Sequence, residues 1–476
     1  MIDRAEHPIQ ETARNLGPAL LVVTFDAVFA FAALHFAKVP MIRDFGLLLA
    51  VGIAVICLGS IILPLAILGI REFKSPTKGR DFRQGPLGRF VVRLGSLPPR
   101  GAVLLAILAV GLFVGGIAVE DKLTLQTDPV QWVNQNSQTI KDIHEVERRA
   151  GGSSELGVYA TTRNVFSDEF VKFAHDFTDS TLTTYPKKLL TGSSIETAVG
   201  DIVDDVPGAT NLAPTGADVH AAYDVAPPDI KSSTVSAGNR AFNIIFRTGP
   251  GSLDARAPIV RAIRNDTRPP AGIRATPSGL AVVGVGLLDN LQANRVELTY
   301  LAILFVFLFL AVRLRSIIRS LLSLVPVLIA VGLASLVAYA FSLKLSPMTA
   351  VGGPLVVAAC TEFTSLILLR FVEERRRGLE PREAIDVAAS RTGRAFVVSG
   401  LTAIAGVAVL SFSSLPLLRD FGRIVAMNVT VALFSALIVL PPLLVWAERR
   451  NWVSRGLVEK QPLPYIETPP MGVPTG

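Results

Sequence analysis

Leu34-His35-Phe36-Ala37-Lys38-Val39-Pro40-Met41-Ile42-Arg43-Asp44-Phe45-Gly46 returns late in the chain as Leu410-Ser411-Phe412-Ser413-Ser414-Leu415-Pro416-Leu417-Leu418-Arg419-Asp420-Phe421-Gly422. The copies lie 376 residues apart (419 − 43 = 376), and the same register pairs Gly17 with Gly393 and Ala13 with Ala389. Each copy sits inside a long apolar stretch. Internal duplication in a polytopic chain is the mark of a transporter built from two like halves. The copies differ in context: a long run of related architecture precedes the second, whereas the first starts almost at Met1. The expectation is a duplicated transporter whose first half is largely absent.

Outward from the repeat, composition points to the membrane. Half the residues (50%) are hydrophobic and 18% are charged, against roughly 25% charged in a soluble domain; the mean hydropathy is +0.48. A bilayer needs about 20 apolar residues per spanning helix. Eight candidate spans follow, at 17–36, 45–70, 101–119, 298–312, 320–343, 345–369, 395–418 and 421–446. Lys and Arg crowd 71–100, 313–319, 370–394 and the segment after the last span. Counting spans puts all four basic segments on one side, which the positive-inside rule makes the cytoplasm. Both termini then lie inside a cell membrane protein, and the long polar insert lies outside. The same residues account for the net charge of +7, so the basic balance orients helices and does not imply nucleic acid. Cys57 and Cys360 fall within apolar spans, and the insert holds no cysteine, so no disulfide framework is expected.

The chain therefore reads as a cytoplasmic interfacial segment (1–16), two spans (17–70), a basic loop (71–100), one span (101–119), an external domain (120–296), a five-helix bundle (297–448) and a cytoplasmic Pro-rich tail (449–476), disordered over Pro462 to Gly476. Within the external domain, Glu155 to Thr161 and Ala241 to Phe246 have strand composition. Ser167 is placed to cap a helix bearing Phe170, Phe173, Ala174 and Phe177. A second helix from about Ser252 to Arg264 leads into a strand at Ile273 to Thr276. Strand, helix and strand in this order predict an α+β, ferredoxin-like unit built on a split βαβ. The Pro-, Gly- and Ser-rich middle, 185–235, reads as loop. His144, His175 and His220 match no metal-ligand spacing, and Gly279, Gly284 and Gly286 do not head a βαβ unit, so neither a metal nor a dinucleotide is expected. No Walker A sequence is present, so nucleotide hydrolysis is not expected and the chain does not read as an enzyme.

Two carboxylates lie at membrane depth, where ionisable groups are costly and usually functional. Glu362 is eight residues from Arg370, roughly 12 Å along a helix. Asp26 lies well inside the first span. Side chains of this kind can bind and release protons, as a proton-coupled pump requires of a relay. Glu362 can equally be a structural hydrogen-bond donor held neutral between helices. Asp26 can also be structural, since its partner in the second copy is Thr402. Ser399 and Thr402, on the neighbouring span, either hydrogen-bond Glu362 or satisfy carbonyls of their own helix. Gly352, Gly353, Ala358 and Ala359 read as small residues that let helices approach closely.

With these residues in view the chain resembles the resistance–nodulation–division superfamily, in its branch of large mycobacterial-type membrane proteins (MMPL), which export lipids and other hydrophobic compounds. The resemblance covers essentially the whole chain. It implies that 101–119 is a seventh helix, 120–296 a second porter domain, the five spans from 298 to 446 the eighth to twelfth helices, and 17–36 and 45–70 the fifth and sixth. The most specific motif is the family's Gly-x-Asp-Tyr on the tenth helix, followed by Arg-aromatic-x-Glu-Glu. Here it stands as Cys360-Thr361-Glu362-Phe363, then Arg370-Phe371-Val372-Glu373-Glu374. The carboxylate is kept while the tyrosine hydroxyl is lost. Helices one to four and the first porter domain have no counterpart, because Met1 aligns with Arg377 by the repeat register (377 − 376 = 1).

Three functional readings follow from residues and resemblance together. The first is a proton-driven secondary exporter of a lipid or amphiphile, or its C-terminal part, with Glu362, Asp26, Thr402 and Ser399 as the proton relay. The second is a non-transporting lipid-binding module, since 298–446 also resembles the sterol-sensing arrangement. The third is a split subunit that needs a partner chain for the missing helices. Membrane lipids and hydrophobic cargo are the expected partners, with a partner chain or a homo-oligomer, and no cofactor is expected.

Overall fold

The structure is a computed structural model that describes residues 8–74 and 86–454, apart from positions within 97–100, 121–127, 151–152, 187, 195–214, 229–237, 250–252 and 347. Residues 1–7 of the interfacial segment, the basic stretch 75–85 and the Pro-rich tail from 455 lie outside the described residues. Along the chain the elements are α1 (Pro8–Ala32), α2 (Pro40–Lys74), α3 (Pro86–Gly95), α4 (Ala102–Glu120), α5 (Gln138–Ala150), β1 (Ser153–Thr161), α6 (Asp168–Thr184), β2 (Leu189–Ser193), α7 (Gly216–Val225) and β3 (Ala241–Thr248). They continue with α8 (Leu253–Asp266), β4 (Arg274–Ser278), α9 (Leu280–Leu314), α10 (Ile317–Ala340), α11 (Gly352–Arg376), α12 (Pro381–Ala388), α13 (Arg394–Ala408) and α14 (Pro416–Glu448). They form two compact units, Met1–Leu125 with Asn290–Gly476, and Gln126–Asp289.

The repeated phrase folds identically in its two copies. Pro40 and Pro416 each open a helix, where a missing N–H costs nothing and φ is already helical. Before each proline the preceding helix closes in a 3-10 turn, Ala33–Phe36 and Val409–Phe412. The Ala37 N–H then donates to Leu34 O at 3.0 Å, and the Ser413 N–H to Leu410 O at 3.0 Å. Gly46 packs so closely that a Cβ would lie 2.4 Å from Leu34 Cβ; Gly422 would meet Leu410 Cβ at 2.7 Å. Each glycine thus abuts the leucine that the 376-residue register assigns to it. The duplication is structural as well as sequential.

Among the described residues, eight helical stretches are long and apolar enough to cross a bilayer, one of them running through α12 and α13, which makes the chain a polytopic helical membrane protein with an α+β unit. α10, α11 and α14 are enclosed, with 67% of each spanning window buried, against 11% in α2. α11 is central, packing on α1, α10 and α14. The exposed faces of α2 and α4 carry Leu47, Leu48, Ile56, Leu104 and Ile107, an apolar surface suited to lipid.

Several boundaries differ from the sequence expectation. The last two spans divide at 413–415, not between 418 and 421, because Pro416 cannot continue the preceding helix. α10 stops at Ala340 and α11 starts only at Gly352, with Ser346-Pro347 between them, and a residue before proline is biased away from helix. The short span 298–312 belongs to a helix reaching back to Leu280, joined to the preceding strand through Gly279 (φ +97°) alone. The basic loop 71–100 contains an amphipathic helix, α3, whose buried Val91 fits against Gly393 and whose Gly95 meets Pro441. α12 and α13 join through a π-helical turn at Ala389–Gly393.

The second unit has a four-stranded antiparallel sheet in the order β2-β3-β1-β4. With α6 after β1 and α8 after β3, this is the split βαβ order that the sequence predicts. Ser167 caps α6 by accepting the Phe170 N–H, and Phe170, Leu156, Ile244 and Phe246 form the core against the sheet. The stretch 185–235, expected as loop, holds β2 and α7. β2 is fixed by pairing with β3, and α7 by a Thr215–Asp218 capping box.

Candidate functional site

The site is assembled where α1 crosses α11. Asp26 has no exposed surface, and its Oδ2 accepts a hydrogen bond from the Ser365 hydroxyl at 2.7 Å. Its other oxygen, Oδ1, is buried with no hydrogen-bond partner among the described residues. On the same helix the Thr24 hydroxyl donates to the Leu20 carbonyl at 2.8 Å. On the Asp26 side of α1, Val22 and Ala30, one turn either way, are buried and apolar.

Glu362 stands three residues before Ser365 on α11, so it lies about 60° around the helix from it. That rotation decides its surroundings: Ser365 faces α1, while Glu362 is exposed and has no hydrogen-bond partner among the described residues. The expectation of Glu362 as a donor held between helices is not met. Ser399 and Thr402 are exposed as well. Ser399 donates to Phe396 O at 3.4 Å and Thr402 to Val398 O at 2.8 Å, each within its own helix. Of the four relay candidates, then, the structure buries Asp26, brings it to Ser365, and leaves the other three on the surface. Ser365 was missed in the sequence because a serine in an apolar helix usually bonds its own backbone.

A second polar cluster occupies the opposite end of the bundle. Arg295 of α9 and Glu120 at the end of α4 lie 3.0 Å apart, with side chains only 11% and 12% exposed. They line a cavity of about 40 Å³ together with Thr299, Ser335, Thr349 and Asn428. Room of that order suits ordered water. Sequence reading missed this pair because both residues sat at the assigned border of the external domain. Arg295 stands among Asp289, Asn290, Gln292, Asn294 and Glu297, so no contrast with an apolar run marked it.

At the arginine-rich end, the Arg-aromatic-x-Glu-Glu stretch forms an anchored network. Glu374 and Glu448 are buried. Arg370 pairs with Glu374 and with Glu373 at 2.7 Å, Arg377 with Glu373 at 2.7 Å, and Arg375 with Glu448 at 2.8 Å. Phe371 is fully buried beneath them. The motif therefore fixes the end of α11 against α14. In the second unit, His144, His175 and His220 each sit beside a carboxylate of their own helix, at 3.5, 3.6 and 3.9 Å, and no group of three metal-ligating side chains occurs among the described residues.

Residues 179–463 match the MMPL family. Among individual proteins, the chain is similar to the membrane protein MJ1562 of Methanocaldococcus jannaschii, 27% identical over 180 residues, which are 36% of this chain and 46% of that protein. It is 30% identical to the membrane protein ActII-3 of Streptomyces coelicolor over 206 residues, 42% of this chain and 29% of that one. The sulfolipid-1 exporter MmpL8 of Mycobacterium tuberculosis is 26% identical over 100 residues, 21% of this chain and 9% of that protein. The chain spans less than half the length of each of these relatives. Among solved structures, SecDF in its super-membrane-facing form aligns over 94% of this chain and 50% of its own, with 16% identity and a TM-score of 0.47.

Proposed function

The chain belongs to the MMPL family, and from that premise we propose that it is a proton-driven secondary exporter of lipids or other hydrophobic compounds, or the C-terminal part of one. The observation that carries this reading is the enclosed Asp26 carboxyl, held by Ser365 on the helix that also bears Glu362. A permanent charge in those surroundings is costly. A group that exchanges a proton is not so penalised, and a hydroxyl partner can serve either protonation state. Glu362, one turn away on α11, is the second acceptor on the route.

The arginine-rich end faces the cytoplasm in this reading, with both termini on that side. The α+β unit lies outside and receives cargo. A lipid cargo is supported by the relative named as a sulfolipid-1 exporter. The chain acts as a transporter and not as an enzyme: protons moving down their gradient, and no bond broken, supply the work.

The test is proton movement into proteoliposomes under an imposed pH gradient, read with a trapped pH-sensitive dye. Asp26→Asn keeps the shape of the side chain and its contact with Ser365, and Glu362→Gln keeps its length. Loss of the flux in both variants, with insertion intact, is the expected result; full flux in both overturns the reading.

A further inference from the structure

At the arginine-rich end of the first unit, α1, α11 and α13 leave a crevice of about 710 Å³ between them. That is within the range of about 300–1,000 Å³ usual for ligand pockets. Its deeper wall is apolar, with Val22 of α1, Leu366 and Leu369 of α11, and Phe396 of α13. Its mouth carries four arginines, Arg313, Arg370, Arg377 and Arg391, against one lining carboxylate, Glu373. We propose that this crevice binds an anionic phospholipid, its phosphate among the four arginines and part of an acyl chain along the apolar wall.

The charge arrangement favours that occupant. Glu373 already engages Arg370 and Arg377, each at 2.7 Å, which fixes two guanidinium groups in place. Arg391 lies 3.8 Å from the buried Glu374, and Arg313 is exposed with no ion pair among the described residues. A guanidinium has five N–H donors and matches a phosphate bidentately, so Arg370 and Arg377, each paired with both Glu373 and Glu374, still keep donors to spare. Even with Glu374 counted, the cluster keeps a positive excess, four charges against two. Basic pockets between helices at headgroup depth are suited to anionic lipid heads. The apolar wall separates a lipid from free phosphate, which would gain nothing there. The stripe Leu369, Leu366 and Glu362 on α11 leads from the crevice toward the middle of the helix, so a bound chain would lie beneath Glu362. The proposal is independent of proton coupling.

The experiment is native mass spectrometry of the full chain released from micelles holding equal amounts of phosphatidylglycerol and phosphatidylcholine. The expected result is one phosphatidylglycerol retained in preference to phosphatidylcholine. In Arg313→Gln/Arg391→Gln that preference should fall about tenfold. Leu366→Trp, which fills the wall without touching a charge, should lower retention too. Arg423→Gln, at an exposed arginine outside the crevice, should leave it unchanged. Equal retention of the two lipids overturns the proposal. So does a preference untouched by the crevice variants, or complete displacement of the lipid by inorganic phosphate. A second polypeptide that crosslinks to Leu366→Cys in native membranes also overturns it, by assigning the crevice to a protein helix.

Discussion

The Ser365 hydroxyl donates to the Asp26 carboxylate at 2.7 Å across the contact of α1 with α11, joining residues 339 apart in the chain. Among the described residues it is the one hydrogen bond of the Asp26 side chain, whose Oδ1 is unpartnered. Ser365→Ala leaves a fully buried carboxyl group with no donor. The expected loss is about 1–3 kcal/mol of stability, read as a lower melting temperature in detergent. Asp26→Asn can still accept from Ser365 and should lose less. If the two variants melt alike, and like the parent, the pair does not hold these helices together.

The Glu120–Arg295 pair makes a sharper demand. Both side chains are about nine-tenths buried, so removing either charge strands the other. Glu120→Gln should destabilise the bundle by about 3–5 kcal/mol, the usual result of leaving one member of a buried pair uncompensated. Glu120→Gln/Arg295→Gln should recover much of that. A double-mutant cycle on unfolding in detergent measures the coupling; additive effects would mean that the two charges do not depend on each other.

How much of this was legible in the sequence follows from which residues carry periodic or positional signals. The apolar runs and the Arg43/Arg419 register revealed the eight spans and the duplication, because bilayer crossing imposes length and composition on each helix. The split βαβ order was readable from strand and helix alternation around Ser167. The breaks at 413–415 and 341–351 were misplaced because hydropathy averages over the prolines that end helices. The site was half legible. Asp26 and Glu362 announce themselves as charges in apolar helices, but which one is enclosed depends on a rotation of about 60° about α11. That rotation is set by packing against α1, and no sequence pattern encodes it. Ser365 and the Glu120–Arg295 pair were invisible for the same reason: they are defined by contacts across helices.

In the second unit, pH should act on α7. Hydrogen bonds from the Thr215 hydroxyl (2.6 Å) and backbone N–H (3.0 Å) hold the Asp218 carboxyl below its ordinary value. A carboxyl group lowered on folding contributes stability above its unfolded value, about 3.9, and that stability is lost as pH falls through the folded value. Hydrogen exchange of Gly216–Val225 should therefore show protection that is constant at neutral pH and declines in acid. Thr215→Val should remove the hydroxyl cap and weaken that pH dependence, leaving only the part due to the backbone N–H. Protection in Thr215→Val that still tracks acid as in the parent would assign the effect to another group.

Two glycines of α4 should respond to the same substitution with opposite sign. At Gly111 a Cβ would meet nothing within 4 Å, and the residue is exposed on the helix. Alanine there only restricts the unfolded chain, so Gly111→Ala should stabilise by about 0.5–1 kcal/mol. At Gly116 a Cβ would stand 2.6 Å from Gly332 Cα and 2.8 Å from Gly332 O, both backbone atoms of α10 that have no rotamer to yield. Gly332 returns the constraint, with Leu112 O at 2.2 Å. The reciprocal glycines set how closely α4 and α10 approach, as small residues do between membrane helices. Gly116→Ala should force these backbones apart and destabilise by about 1–3 kcal/mol. It should also widen the cavity beside Glu120, since Gly116 and Gly332 both line it. Melting temperatures of the two variants in one detergent decide the matter: a rise for Gly111→Ala with a fall for Gly116→Ala supports glycine-mediated contact of α4 with α10, and a rise for both would show that these helices are free to part.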